Sequence, residues 1–135
     1  MKPRYMLDTN ICIYIAKQRP PEVRARFERL RPGQLVMSAI THGELSYGAR
    51  KSNQSSKALA QLEELIQDVP VTDLDSSAGQ AYGEIRARLE QQGCPIGNND
   101  LWIAAHAVSL NLTLVTNNER EFKRIPGLSL ENWTK

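Results

Sequence analysis

Three acidic residues occupy positions where carboxylates can hold a cation or work on a phosphate: Asp8, Glu44 and Asp100. Asp8 directly follows the apolar run Tyr5-Met6-Leu7 and opens the tripeptide Asp-Thr-Asn. A carboxylate at the end of a core strand is costly to bury unless it is paired or bound to a cation. The structural alternative is an Asx-type cap for the helix that follows. Glu44 lies one to two turns into a helix opened by Ser38, after the poor helix former Gly43, whose small size would let a ligand approach the backbone. Its alternative is a capping box, since Thr41-His42-Gly43-Glu44 has the required spacing. Asp100 falls in the first turn of a helix after Pro95-Ile96-Gly97-Asn98-Asn99. There it complements the helix dipole, and the same dipole is expected to keep it ionised.

Gathered at one edge of a sheet, three carboxylates would repel, and one would take up a proton. With Mg²⁺ or Mn²⁺ between them they form a hard-oxygen site, each metal taking one or two carboxylates and completing its shell with water and phosphate. Such a site can generate hydroxide and shield the charge of a scissile phosphate. The convergence is an expectation from topology, and spacing along the chain does not establish it.

The elements that must position these residues follow from periodicity. Tyr5–Leu7 reads as a buried strand, and Ile11–Lys17 as a short helix stopped by Pro20-Pro21. Residues 22–31 put Val23, Phe27 and Leu30 on one helical face and Arg24, Arg26, Arg29 and Arg31 largely on the others. Leu35–Met37 is a second strand. A long helix after Asn53 carries Leu59, Leu62, Ile66 and Val69, and residues 69–74 turn extended. Residues 76–91 form another helix, broken at Gly93 and Pro95. Asn98 or Asn99 caps the next, whose Leu101, Ala104, Ala105 and Val108 share a face. Thr113–Thr116 is a third strand, followed by a short helix over 119–124 and an extended piece at 128–130. Strands alternating with helices predict a three-layer α/β/α sandwich around a mainly parallel sheet. In such sheets ligands gather at the carboxyl ends of the strands.

The chain of 135 residues has the size of one domain, with no repeat, linker or low-complexity tract, so residues 1–135 are expected to form a single unit. No apolar run approaches the ~20 residues that span a bilayer, and MKPRYMLDTN has no stretch suited to a secretory signal. A cytoplasmic protein is expected, and Cys12 and Cys94, far apart and without zinc-site spacing, suit that compartment as buried or idle thiols. Charge is uneven. Residues 1–57 hold eleven Lys/Arg against four Asp/Glu, a net of +7, while residues 58–135 hold six against eleven, a net of −5. A cationic half suits a polyanionic partner, and a solvated basic helix face explains it equally well.

Four segments, MLDTNICIY at 6–14, SAITHGELSYGA at 38–49, PIGNNDLWIAAHA at 95–107 and LVTNNEREFKRIPGL at 114–128, together resemble the PIN-domain nucleases. Within that family they are similar to the VapC-type toxins of bacterial toxin–antitoxin pairs, in order and over essentially the whole chain. The resemblance implies a PIN-like fold in which Asp8, Asp100 and Glu44 (directly or through water) are the metal ligands and the catalytic acids. Thr9 would hydrogen-bond within the site and Asn10 would steady the turn. It further implies single-strand-specific cleavage of RNA, usually in tRNA or rRNA loops, by a metal-activated water, leaving a 3′-hydroxyl and a 5′-phosphate. A homodimer and a cognate VapB-type antitoxin, its tail inserted into the active-site groove, are implied as well.

One position departs from the family pattern. Many PIN domains carry a fourth acid after the strand that here reads LVT, where this chain has Asn117-Asn118. Asn118 aligns with that acid; its amide oxygen can ligate Mg²⁺ but brings no charge, so one firmly held metal is expected. Glu119 or Glu121 are the candidates to compensate, against a plain surface-helix role. His42 and His106 read as packing residues. Trp102 reads either as a base-stacking platform or as core. Arg24, Arg26 and Arg29 are candidate contacts to RNA phosphate or to an antitoxin.

Two rival readings exist. A haloacid-dehalogenase-like phosphatase also places an Asp after its first strand, but needs a second Asp where this chain has Asn10. A catalytically weak RNA- or partner-binding module on the same fold is the other, although a binder of polyanions gains nothing from clustered negative charge.

Overall fold

The computed structural model describes residues 2–135. Five strands, β1 (Tyr5–Leu7), β2 (Leu35–Ser38), β3 (Val71–Thr72), β4 (Thr113–Val115) and β5 (Leu130–Glu131), form one sheet in the order β3-β2-β1-β4-β5. Every pairing is parallel. The helices are α1 (Thr9–Lys17), α2 (Pro21–Glu28), α3 (Ala39–Lys51), α4 (Ser55–Asp68), α5 (Ser76–Gln91), α6 (Asn98–Leu110) and the single turn α7 (Glu119–Phe122). The expected three-layer sandwich with a parallel sheet is the fold the chain adopts.

The period of two along the strands divides the core. Met6, Val36 and Leu114 point to one face and pack with Leu89 of α5, with Leu101, Ile103 and Ala104 of α6, and with Phe122. Tyr5, Leu7, Leu35, Met37 and Val115 point to the other, against Ile11 and Cys12 of α1, Val23 of α2 and Leu65 of α4. Strands covered on both faces carry apolar residues at consecutive positions, which is why short runs such as YML and LVM suffice.

Several boundaries differ from the sequence reading. The extended run expected over 69–74 contracts to Val71–Thr72, because Val69 still closes α4 through a 2.8 Å bond from its N–H to the Leu65 carbonyl. The last strand slides to Leu130–Glu131, set by bonds from the N–H groups of Leu114 and Thr116 to the carbonyls of Ser129 and Glu131. Neither Asn98 nor Asn99 caps α6; Gly97 holds that position without a side-chain bond. Trp133, which no periodicity marks, is buried edge-on against Tyr5.

Successive connections run outward from β1 to β2 and β3, and the chain then returns to lay β4 on the other side of β1. The strand order therefore reverses between β1 and β4. A crevice opens at such a switch point, outside the carboxyl ends of the two strands.

Candidate active site at the carboxyl edge of the sheet

Asp8 and Thr116 are the first residues past the ends of β1 and β4, side by side because Leu7 pairs with Val115. Asp8 caps α1, accepting the Ile11 N–H on Oδ1 at 3.1 Å, so the capping role and the site role coexist in one side chain. Its Oδ2 accepts the hydroxyl of Thr116. Only 6% of Asp8 is exposed. Burial pushes its pKa up to about 6, and the negative charge of Asp100 adds to the rise; the bonds from Thr116 and Ile11 and the backbone of Asn10 pull the other way. Asn10 thus acts through its main chain. Thr116 is the residue that reading the sequence missed, and its signal was available: it ends a core strand beside the strand that ends in Asp8.

Glu44 comes from α3, which already begins at Ala39 under the cap of Ser38, so the alternative role in a capping box around Thr41 is not taken up. Glu44 turns across to α1 and α6 instead. Its Oε1 accepts the Thr9 hydroxyl at 2.5 Å, with the Thr41 hydroxyl 3.4 Å from Thr9, and its Oε2 accepts Asn99 Nδ2 at 3.3 Å. Thr9 therefore joins α1 to Glu44. Nothing lies within 4 Å of the point where a Cβ on Gly43 would sit, so the space beside Glu44 is open.

Asp100, in the first turn of α6, is half-buried. The dipole was expected to keep its pKa low; burial and the nearby charges of Glu121 and Glu44 outweigh it and raise the pKa. Glu121 is thus the acid that α7 contributes to the cluster. Asn118 stands one turn earlier, and its N–H bonds the Thr116 hydroxyl oxygen at 2.9 Å. Glu119 points away, its Oε2 bonded to Asn132 at 3.1 Å and Lys135 at 2.7 Å, which hold its pKa low. Position alone cannot separate Glu119 from Glu121, because the outcome depends on the angle at which a one-turn helix docks.

The basic and aromatic candidates lie elsewhere. Arg24 pairs with Glu28 on its own helix at 2.5 Å. Arg26 bonds Glu131 at 2.7 Å and lies over the Trp133 ring, tying α2 to the last strand. Arg29 is exposed. Trp102 stacks on Tyr82 of α5 with ring centroids 3.8 Å apart. Cys12 and Cys94 are both free. His42 is half-buried on α3, and His106 is fully buried.

Among the described residues, the ion pairs engage Glu28, Glu131, Glu90 and Glu119, and none engages Asp8, Glu44, Asp100 or Glu121. Asp100 lies within electrostatic range of Asp8, Glu44 and Glu121, and a carboxylate set without a Lys or Arg partner has donors of the kind a divalent cation takes. Among the same residues no three acidic, His or Cys side chains close into a ring around one point.

Comparison with known proteins gives the family. Residues 5–128 match the PIN domain family. The chain is 46% identical to the tRNA(fMet)-specific endonuclease VapC of Shigella flexneri, across 97% of this chain and 98% of that protein. It is 45% identical to the ribonuclease VapC2 of Rickettsia felis, with the same coverage. Among solved structures, DNA-bound VapBC from Salmonella typhimurium superposes with a TM-score of 0.91 at 44% identity, covering 97% of this chain and 98% of that one.

Proposed function

The chain belongs to the PIN-domain family of VapC ribonuclease toxins, and on that premise we propose that it cleaves single-stranded loops of structured RNA, tRNA foremost, at the carboxylate cluster. The observation that supports the assignment of the site is that Asp100 lies within electrostatic range of Asp8, Glu44 and Glu121, while none of the four enters an ion pair among the described residues.

Nucleases of this family are typically metal-dependent, and the metal proposed here is Mg²⁺, with Mn²⁺ able to replace it. When bound, such an ion supplies Lewis-acid charge to a phosphate and lowers the pKa of water. Asp8 and Asp100 would hold it directly, Glu44 and Glu121 through water. Thr116 orients Asp8 and supports its ionised form, and Thr9 with Asn99 keeps Glu44 extended toward the other acids. The acids also repel RNA phosphate until a cation is present, so ion and substrate are expected to bind interdependently.

Relatives of this chain occur as VapBC complexes, which supports a cognate VapB-type antitoxin as partner. A groove of about 410 Å³ fits that role: it runs from Thr9 and Glu44 past Ile13, Ala16, Leu45 and Leu62, and is open enough to take a chain segment leading to the acids. We further propose a homodimer of single-domain subunits acting in the cytoplasm, where its RNA is found; the free thiols suit that compartment.

The test is purification of the wild-type chain and an Asp8→Asn variant free of antitoxin, each incubated with total tRNA in Mg²⁺ or in EDTA. Wild type with Mg²⁺ should cut. The variant should be slower by roughly 10²–10³-fold, the range for losing one transition-state-stabilising group. Cleavage by the variant at the wild-type rate, or cleavage that EDTA does not diminish, would refute the metal site. Binding of tRNA without any cleavage would favour the binding module.

A further inference from the structure

His106 is 0% exposed, deep in the helix that carries Asp100 and apart from the carboxylates. Its Nδ1 lies 2.8 Å from the hydroxyl oxygen of Ser38, itself 0% exposed. Ser38 ends β2 and caps α3, its Oγ accepting the Ile40 N–H at 3.1 Å. The contact therefore spans the two helices that deliver Glu44 and Asp100.

Counting donors and acceptors identifies the tautomer. Ser38 Oγ already accepts from Ile40, so its proton needs an acceptor, and a bare Nδ1 is the one in reach. The ring proton then belongs on Nε2. That nitrogen has no hydrogen-bond partner among the described residues, which leaves it a single unsatisfied group. The opposite tautomer would strand both the Ser38 proton and a bare Nε2 in the core, two buried unsatisfied groups where the first tautomer leaves one.

We propose that His106 is a positioning residue: with its proton on Nε2 it accepts the hydroxyl of Ser38 on Nδ1 and so fixes the start of the Glu44 helix against the Asp100 helix. A leucine of similar volume would fill the space without specifying that register. Asn at the same place keeps an acceptor near the position of Nδ1.

The full-length protein, ¹⁵N-labelled and metal-free, tests the tautomer directly. A long-range ¹H–¹⁵N spectrum near neutral pH should show a pyridine-like Nδ1 and a protonated Nε2 for His106; a proton on Nδ1 overturns the proposal. Calorimetric titration with Mn²⁺ should show about 10-fold weaker binding in His106→Leu, the scale on which outer-shell partners act, and near-wild-type binding in His106→Asn. The kinetic arm rests on the ribonuclease reading. There kcat on single-stranded RNA should fall about 10- to 100-fold in His106→Leu, as expected when reacting groups shift by about an ångström, with KM little changed and His106→Asn restoring the rate. Equal losses in the two variants, or none in either, overturn the proposal. A wild type that binds Mn²⁺ but cuts no RNA refutes the ribonuclease reading alone, leaving spectrum and calorimetry to decide on His106. Should His106→Leu fail to fold, Ser38→Ala removes the hydroxyl from the other side, and unchanged Mn²⁺ binding there overturns the proposal.

Discussion

Thr116 donates its hydroxyl proton to Asp8 across the junction where the strand order of the sheet reverses. One residue ends the strand entering the site from the amino-terminal half, and the other ends the strand entering from the carboxyl-terminal half. The same hydroxyl oxygen accepts the N–H of Asn118 at 2.9 Å, so it ties the turn leading to Glu121 to the carboxylate it supports.

Replacing Thr116 by Val should therefore act through Asp8. A hydrogen bond to a charged group contributes about 1.5–3 kcal/mol, which predicts a loss in kcat/KM of roughly 10- to 100-fold. The Asp8 pKa should rise further, moving the acid limb of the pH–rate profile to higher pH. Thr116→Ser should restore both, as rate assays across pH will show.

Asp8 itself should be a stability liability. Its folded-state pKa, about 6 against an ordinary 3.8, means that the folded state binds the proton more tightly than the unfolded one. The resulting stability is present below about pH 3.8 and lost as pH rises through about 6. Ionising Asp8 at neutral pH thus costs up to about 3 kcal/mol at 1.36 kcal/mol per pKa unit. Denaturant unfolding of metal-free protein should show Asp8→Asn gaining stability over wild type as pH climbs through that window, while losing nuclease activity.

Protons and metal should compete for the same carboxylate. Below about pH 6 each cation bound must displace the proton on Asp8, so apparent Mn²⁺ affinity should fall by about tenfold per pH unit. Titration calorimetry at several pH values, in buffers of different ionisation enthalpy, measures both the slope and the proton released.

Glu121 and Glu119, two residues apart, should behave oppositely. Glu121→Gln removes a charge that raises the Asp100 pKa, so that pKa should drop while metal affinity and cleavage weaken, metal affinity by about 10-fold on the scale of an outer-shell partner. Glu119→Gln disturbs only the partly buried contacts with Lys135 and Asn132, away from the other acids, and should leave cleavage unchanged. Parallel single-turnover assays separate them.

Arg26 should prove structural. Its partly exposed pair with Glu131 and its place over Trp133 predict that Arg26→Ala costs about 1 kcal/mol of stability. The salt dependence of RNA binding should not change, whereas a phosphate contact would lower its slope by about one.

Much of the site is a local property of the chain. A carboxylate ending an apolar run, an acid a few residues into a helix and another in a first turn are readable one at a time, and each of Asp8, Glu44 and Asp100 is where its segment implied. The partners were harder to see. Thr9 bonds Glu44, 35 residues away, and Thr116 bonds Asp8, 108 residues away. Such contacts depend on which strands are neighbours, which hydrophobic periodicity does not encode.

The sequence by itself determined the alternation of strands and helices, the two-sided burial of the strands and the three acids, because side-chain spacing and backbone propensity act over a few residues. Tertiary structure alone decided three further points: Glu121 rather than Glu119 brings charge to Asp100, Arg26 serves the last strand, and His106 meets Ser38. Each depends on how rigid elements dock, since the rotation of a one-turn helix or the pairing of two parallel strands is set by packing across the whole sheet.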